Sequence, residues 1–443
     1  MFAANPPHVV LLACPAGGGH ILPMVELGRR LAEHHSFTAT IITYSNMSVP
    51  ALPDLPASVT TAALPAVPLD DLPADARIET CMLTVVRRAM PHLRALLASI
   101  IREHGSHNVV AFLADMFCAE ALLVASELGV PGSYIVFLTN LMFLGLLVRL
   151  PELDKITTCE YRDLPEPVRL PGCVPLRGAD LLDTIQDGSN PAYSLMVEMA
   201  RNQFLADGIL VNTSTGWSTR PSARSKSCRT KASSVPRFTR GGTLSTEQTT
   251  ELAAGLEACG HRFLWVVHFP SDKDSSATYF GTGGHGDDPL GFLPQGFIQR
   301  TKDVGLCVPH WAPQVEILQH RAVGGFLSHC GWNSTLEAVD ASVPMLAWPL
   351  FAEQRMNAVM LEEKVGMELR LAGLRQKGNE ITREEVAAVV TELMAGETGK
   401  AVRKRAKTVK KAAAQALEPL GAVEQGGRGN REQVERHSLQ GGK

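Results

Sequence analysis

Apolar positions near the start of the chain come in short unbroken runs, each followed by a turn and a stretch of helical periodicity. Residues 8–14 (HVVLLAC) form one run, followed by a glycine-rich turn (PAGGGH) and the helical pattern LPMVELGRRLAEH. A strand apolar on both faces, then a turn, then a one-sided helix is the unit from which parallel sheets are built. The same grammar returns at 38–43, at 109–113 before the helical AEALLVASELG, and at 133–138. A second series opens after Gly241. It reads helix TEQTTELAAGLEACG, strand RFLWVVHF, a Gly/Asp/Ser-rich loop over 271–289, strand VGLCVP, helix VEILQH, strand AVGGFLSH and helix NSTLEAVDA. Alternating strands and helices predict an α/β protein with two doubly wound parallel sheets. Ligands of such sheets sit at the carboxyl ends of the strands, so two halves are expected to face one another across a cleft.

Residues 214–240 interrupt the grammar. They hold seven Lys or Arg, no acid and almost no periodicity, as in a basic linker or, less readily, an RNA-binding arm. Elsewhere composition argues for a small-molecule partner. The 443 residues, 45% of them hydrophobic, can bury two cores, and a net charge of −3 gives no global attraction to nucleic acid or anionic membranes. Nine cysteines are scattered without a CxxC pair, as for reduced thiols in the cytoplasm. The apolar run over 134–148 is interrupted by Thr139 and Asn140 and falls short of the roughly 20 residues of a membrane helix.

The densest chemistry lies in residues 311–354, WAPQVEILQHRAVGGFLSHCGWNSTLEAVDASVPMLAWPLFAEQ. After the strand GGFLSH, the turn CGWN is expected to open a helix at Asn333, a good N-cap, where free N–H groups and the positive helix end suit a diphosphate. His329 and Ser334 can add hydrogen bonds, and Glu337, about one turn on, can accept from a ribose diol. A capped helix with incidental polar residues accounts for the same features.

This span resembles, at every spacing, the signature of plant family-1 UDP-glycosyltransferases of secondary metabolism, which implies a GT-B fold of two Rossmann-like domains. By that resemblance Trp311 stacks on uracil, Ala312 offers its backbone to the base edge and Gln314 holds the nucleoside. Glu337 takes the ribose, and His329, Asn333 and Ser334 take the diphosphate, with Trp332 beside the sugar. Glu353 and Gln354 bind the hexose. Gln at that end implies UDP-glucose, with galactose and xylose as alternatives. Two positions depart from the signature: Asp340 replaces an uncharged residue, and Ser342 stands where glycine is usual. The resemblance also makes His20, in PAGGGHILP, the general base and Asp115, in VAFLADMF, the carboxylate that orients it. Its implied reaction is one in-line displacement giving a β-glucoside and UDP, with no cofactor or metal.

Stretches such as LTVVRRAMPHLRALL, ADGILVNT and DPLGFLPQGF resemble the hydroquinone and monolignol branch. They imply a phenolic acceptor in a pocket lined by Met82, Phe117 and Phe143, with Gly18 beside it, although a plain core role suits these residues equally. The expected organisation is an acceptor domain over 1–213, the irregular linker 214–240, a UDP-sugar domain over 241–415 and an atypical tail over 416–443. The protein is expected to be a cytoplasmic monomer without membrane insertion. Where relatives have a loop like FGSGGTLS, this chain reads RFTRGGTLS, and the strand before it is missing. A shift of reading frame across 214–231, followed by a skipped segment before the sequence resumes in frame at Gly241, would account for this. A truncated relative that binds phenolics or UDP-sugar without transfer is the alternative reading. A nicotinamide dehydrogenase is disfavoured because PAGGGH lacks GxGxxG spacing.

Overall fold

The computed structural model describes residues 6–46, 52, 54–73, 76–213, 225–226, 243–272, 288–375 and 380–416. The first half runs β1 (His8–Leu12), α1 (Gly18–His35), β2 (Thr38–Tyr44), β3 (Val59–Leu64), α2 (Ile78–His104), β4 (Val109–Asp115), α3 (Leu122–Glu127), β5 (Ser133–Phe137), α4 (Leu141–Ile156), α5 (Pro191–Asn202) and β6 (Gly208–Val211). With β7 (Ser225–Lys226), these strands form one parallel sheet in the order β3-β2-β1-β4-β5-β6-β7. The apolar runs that predicted β1 and β4 are buried nearly throughout, because helices cover both sheet faces. The chain reverses its direction of winding between β1 and β4, so the carboxyl ends of these neighbours form the crevice of the first half.

The second half runs α6 (Thr246–Ala258), β8 (Phe263–Val267), α7 (Phe297–Thr301), β9 (Gly305–Pro309), α8 (Gln314–Gln319), β10 (Phe326–Ser328), α9 (Trp332–Ala341), β11 (Met345–Ala347), α10 (Gln354–Met360), β12 (Glu368–Arg370), α11 (Arg383–Ala395) and α12 (Glu397–Ala416). Its strands do not form one sheet among the described residues. β8 pairs with β9, and β10, β11 and β12 form a separate set of three, all parallel. Phe263 and Trp265 of β8 nevertheless pack in the same apolar cluster as Leu327 of β10, so the two sets share one core.

The sequence placed the alternating strands and helices it named in both halves, and three of its readings differ from the structure. The helix after β4 begins as a tight 3-10 turn over Met116–Ala121, because the Asp115 carboxylate accepts from the Phe117 N–H and caps it. The helix after β10 includes Trp332 and has Gly331 at its N-cap, so Asn333 lies inside the first turn and is not the cap. Within 214–240, Ser225 and Lys226 pair with Ile209 and Leu210 on the open edge of β6, which backbone groups do regardless of side-chain character. The remainder of 214–240, most of the 271–289 loop and residues 417–443 lie outside the described residues. Among the described residues no helix is long and apolar enough to cross a membrane.

A single core cluster extends from Val10, Leu12 and Phe137 in the first half to Trp332, Met356 and Val409 in the second. Asn140 caps α4 by accepting from the N–H groups of Met142 and Phe143, and its own amide donates to Asn357 Oδ1 at 2.6 Å across the boundary. Arg370 reaches Asp180 at 3.4 Å in a buried pair, and Arg355 pairs with Asp183.

Ser342 ends α9 with φ 62° and ψ 33°, the left-handed conformation that glycine adopts without strain, and its buried hydroxyl has no hydrogen-bond partner. Both features cost stability. Ser342→Gly is therefore expected to stabilise the second half by about 1–2 kcal/mol, read as a rise of about 2–4 °C or more in melting temperature. A fall would show that the hydroxyl contributes a compensating interaction.

Candidate active site

His20 and Asp115 meet at the crevice of the first sheet. Asp115 ends β4, fully buried, and Gly17, at φ 74°, lets the chain turn from β1 directly into α1, which carries His20 in its first turn. Imidazole Nδ1 lies 2.8 Å from Asp115 Oδ2, while Asp115 Oδ1 is held by the Phe117 N–H at 2.9 Å. The His20 side chain keeps 20% of its surface, so a buried carboxylate stands behind a ring that still reaches the cleft. Burial alone would push the His20 pKa down. The charge and hydrogen bond of Asp115, with Glu353 farther off, outweigh it and leave the pKa raised.

Pro23 lies inside α1 and has no N–H to give the Gly19 carbonyl four residues earlier. That carbonyl accepts instead from Asn333 Nδ2 at 3.0 Å, which ties the first turn of α9 to the backbone beside His20. The neighbouring Trp332 indole N–H donates to the Asn212 carbonyl at 2.6 Å, just beyond β6. The cleft between the halves encloses about 930 Å³ of non-atom space, part of it open to solvent. His20, Met82, Phe117 and Phe143 line it from one side and His329, Trp332, Asn333, Ser334, Glu353 and Gln354 from the other. Gly18 is not among the lining residues, and its neighbour Gly19 is. Asp115 stands behind His20.

A second cluster continues from the α9 end of the cleft. Gln314 Nε2 donates to Ser334 Oγ at 3.0 Å and to Glu337 Oε2 at 2.7 Å. Burial pushes the Glu337 carboxyl up to about 7 against the pull of the Gln314 hydrogen bond, with Glu316 adding to the rise. Trp311 stands 45% exposed at the edge of the same region, beside buried Ala312. His329, at the end of β10, is pushed down to about 4 by burial and by His268, so it is a neutral hydrogen-bonding group at physiological pH. A Cβ on Gly331 would lie 2.3 Å from His329 Nε2, so a side chain there would force the imidazole to move.

Three non-glycine residues with positive φ adjoin these groups: His310 (62°) before Trp311, Cys330 (64°) after His329, and Ala352 (54°) before Glu353. Left-handed backbone costs such residues on the order of 1 kcal/mol each, and strain of this kind concentrates where loops must aim groups at a ligand. Glu353 Oε1 accepts from Thr139 Oγ1 at 3.2 Å and Asn357 Nδ2 at 3.4 Å. Gln354 turns its own oxygen back to the Leu350 and Phe351 N–H groups at 2.8 and 3.1 Å.

Sequence reasoning missed Thr139, although it noted that this residue and Asn140 break an apolar run. Polar residues at the carboxyl end of a parallel strand were the available signal. Thr184, whose hydroxyl is buried in the cleft wall without a hydrogen-bond partner, carried no such mark.

A family model described as UDP-glucoronosyl and UDP-glucosyl transferase matches residues 242–422. The hydroquinone glucosyltransferase of Rauvolfia serpentina is 41% identical over 455 residues, covering 94% of this chain and 95% of that protein. UDP-glycosyltransferase 72B2 of Arabidopsis thaliana is 40% identical, with 94% of each covered. Among solved structures, UGT2 of Phytolacca americana complexed with UDP-2fluoro-glucose and pterostilbene superposes with a TM-score of 0.83 at 36% identity, covering 94% of this chain and 96% of that one. A UDP-glucosyltransferase from Polygonum tinctorium capable of glucosylating indoxyl matches with the same TM-score at 37% identity, covering 95% and 96%. With its two facing α/β halves and near full-length identity to these enzymes, the chain belongs to the UDP-glycosyltransferase family and has its GT-B fold.

Proposed function

We propose that the protein transfers glucose from UDP-glucose to the hydroxyl of a small phenol, with inversion at the anomeric carbon. The observation that carries this reading is the His20–Asp115 pair, held at 2.8 Å in a cleft whose opposite wall is the α9 turn. His20 takes the phenolic proton, and Asp115 fixes the tautomer and stabilises the imidazolium. The phenolate oxygen forms a bond to the anomeric carbon as the bond to the UDP oxygen breaks on the opposite face. The N–H groups opening α9, with neutral His329 and Ser334, receive the charge that develops on the leaving diphosphate. Asn333 gives up the Gly19 carbonyl for a phosphate oxygen or bridges the two.

Glu337 and Gln314 hold the ribose, Trp311 and Ala312 the uracil, and Glu353 and Gln354 the hexose. Trp332 frames the sugar. Met82, Phe117 and Phe143 supply the apolar wall that suits a phenol ring; the Phe117 ring stands 5.5 Å from that of His20. The acceptor class is taken from the named activities of the relatives, above all the hydroquinone enzyme.

The strand pattern supports one more element of this reading. The first half has the order 3-2-1-4-5-6, and the second repeats it as β9-β8, then β10-β11-β12, with no strand among the described residues at position 1 between β8 and β10. The described strands of the second half thus fill positions 3, 2, 4, 5 and 6 of that order, and residues 214–242 lie outside the described residues apart from Ser225 and Lys226.

Two experiments test the proposal. Release of UDP and formation of a β-glucoside from UDP-glucose and hydroquinone should fall by at least about 100-fold in His20→Ala and Asp115→Asn. The wild-type kcat/KM should rise with pH through a His20 midpoint above the ordinary histidine value, since the neutral ring is the base. Asp115→Asn removes the charge that raises this midpoint, which should move down. An unchanged rate and midpoint in Asp115→Asn would remove the pair from the mechanism. Separately, ionised Glu337 accepts from the ribose hydroxyls more strongly than its neutral acid does, so the Kd for UDP-glucose should weaken as pH falls from 8 to 6 through its pKa of about 7. Glu337→Gln should bind more weakly and lose that pH dependence; retention of the wild-type profile would place the titrating group elsewhere.

A further inference from the structure

Cys14 has no part in the chemistry above, yet it stands at its centre. β1 and β4 are neighbours, Leu12 against Ala114, so Asp115 at the end of β4 and Cys14, two residues past β1, come close together before α1 begins at Gly18. Cys14 Sγ, an imidazole nitrogen of His20 and a carboxylate oxygen of Asp115 all lie within 4.8 Å of one another. We propose that these three side chains form a binding site for a thiophilic divalent cation such as zinc, and that the cation switches the site off by occupying the base.

The donor set is one that zinc takes: a thiolate at about 2.3 Å, an imidazole at about 2.0 Å and a carboxylate at about 2.0–2.2 Å, with the fourth position open. A tetrahedron with those bonds places its ligand atoms roughly 3.3–3.6 Å apart, so Cys14 must close on the other two groups by up to about 1.5 Å while the 2.8 Å contact between His20 and Asp115 opens by roughly half an ångström. The site allows both movements. His20 can turn because its ring faces the cleft, and Asp115 keeps its orientation through the Phe117 N–H on the other oxygen, an anchor of the kind that holds metal ligands in place.

Binding is a ligand exchange with no change of oxidation state: the Sγ–H bond of Cys14 breaks, its proton passes to solvent, and the Sγ–metal bond forms. Burial, the hydrogen bond with the Cys118 thiol and the nearby Asp115 hold the thiol in its protonated form, so the cation must supply the driving force for that proton loss. Once bound, the metal holds the imidazole lone pair and the carboxylate that proton transfer requires. This consequence rests on the reading of His20 as general base; the site itself does not.

The test is a titration of the full chain with cobalt(II), without donor or acceptor. One equivalent should give a thiolate-to-cobalt charge-transfer band in the near ultraviolet. Cys14→Ser should lose the band and bind cobalt at least about tenfold more weakly while melting like the wild type. If Cys14→Ser does not melt cooperatively, His20→Gln carries the test through the same tenfold loss. No band, or a band of wild-type strength in the variant that folds, overturns the proposal by assigning cobalt to none or another of the thiols. Zinc should in addition inhibit glucosyl transfer about tenfold more potently in the wild type than in Cys14→Ser. The cobalt signature without zinc inhibition would uphold the cation site and contradict the role given to His20.

Discussion

The arrangement of the site depends on a hydrogen bond that a proline makes available. Because Pro23 cannot donate to the Gly19 carbonyl, that group is left over within α1 and accepts from Asn333, the second residue of α9. The carbonyl is half-buried at the cleft wall, and the bond links the two halves through a partner that α1 does not supply. Trp332 adds its indole bond to Asn212, and Asn140 joins Asn357 nearby. The imidazole of His20 and the N-terminus of α9 are thereby brought to opposite walls of one cleft.

Around that clasp, the second half carries strain and desolvation beside the residues proposed to meet the ligand. His310, Cys330 and Ala352 hold left-handed backbone beside donor-side residues. Glu337 and His329 are both pushed towards their neutral forms by burial, which a ribose diol and a diphosphate would reverse by supplying hydrogen bonds and charge. The apo site is therefore less stable than an apolar interface of the same size would be, and its ligand is the natural source of compensation.

Much of this was legible in the chain. The apolar runs of β1 and β4 announce strands buried on both faces, and the Gly-rich turn and the CGWN turn mark the carboxyl ends where ligands bind. The departure of Ser342 from glycine was visible as a position of possible strain, and its φ of 62° bears that out. What could not be read was tertiary in origin. Asn333 looks like an N-cap because capping is a local rule, whereas its carbonyl partner lies 314 residues away. Thr139 became a partner of Glu353 only once the halves met. The role of Pro23 was hidden for the same reason, since a proline early in a helix is locally unremarkable.

The division of the second half into β8-β9 and β10-β11-β12 bears most directly on the account, because the donor groups hang from the carboxyl ends of both sets. The shared core and the clasp keep these ends assembled. The decisive measurement is the thermal unfolding of this chain with increasing UDP-glucose. At about 100 times the Kd the ligand should stabilise the donor half by about 2.7 kcal/mol, a rise of roughly 5–10 °C in melting temperature. A melting temperature that does not move at any donor concentration would contradict the account and mean that the residues of the site are present but not assembled.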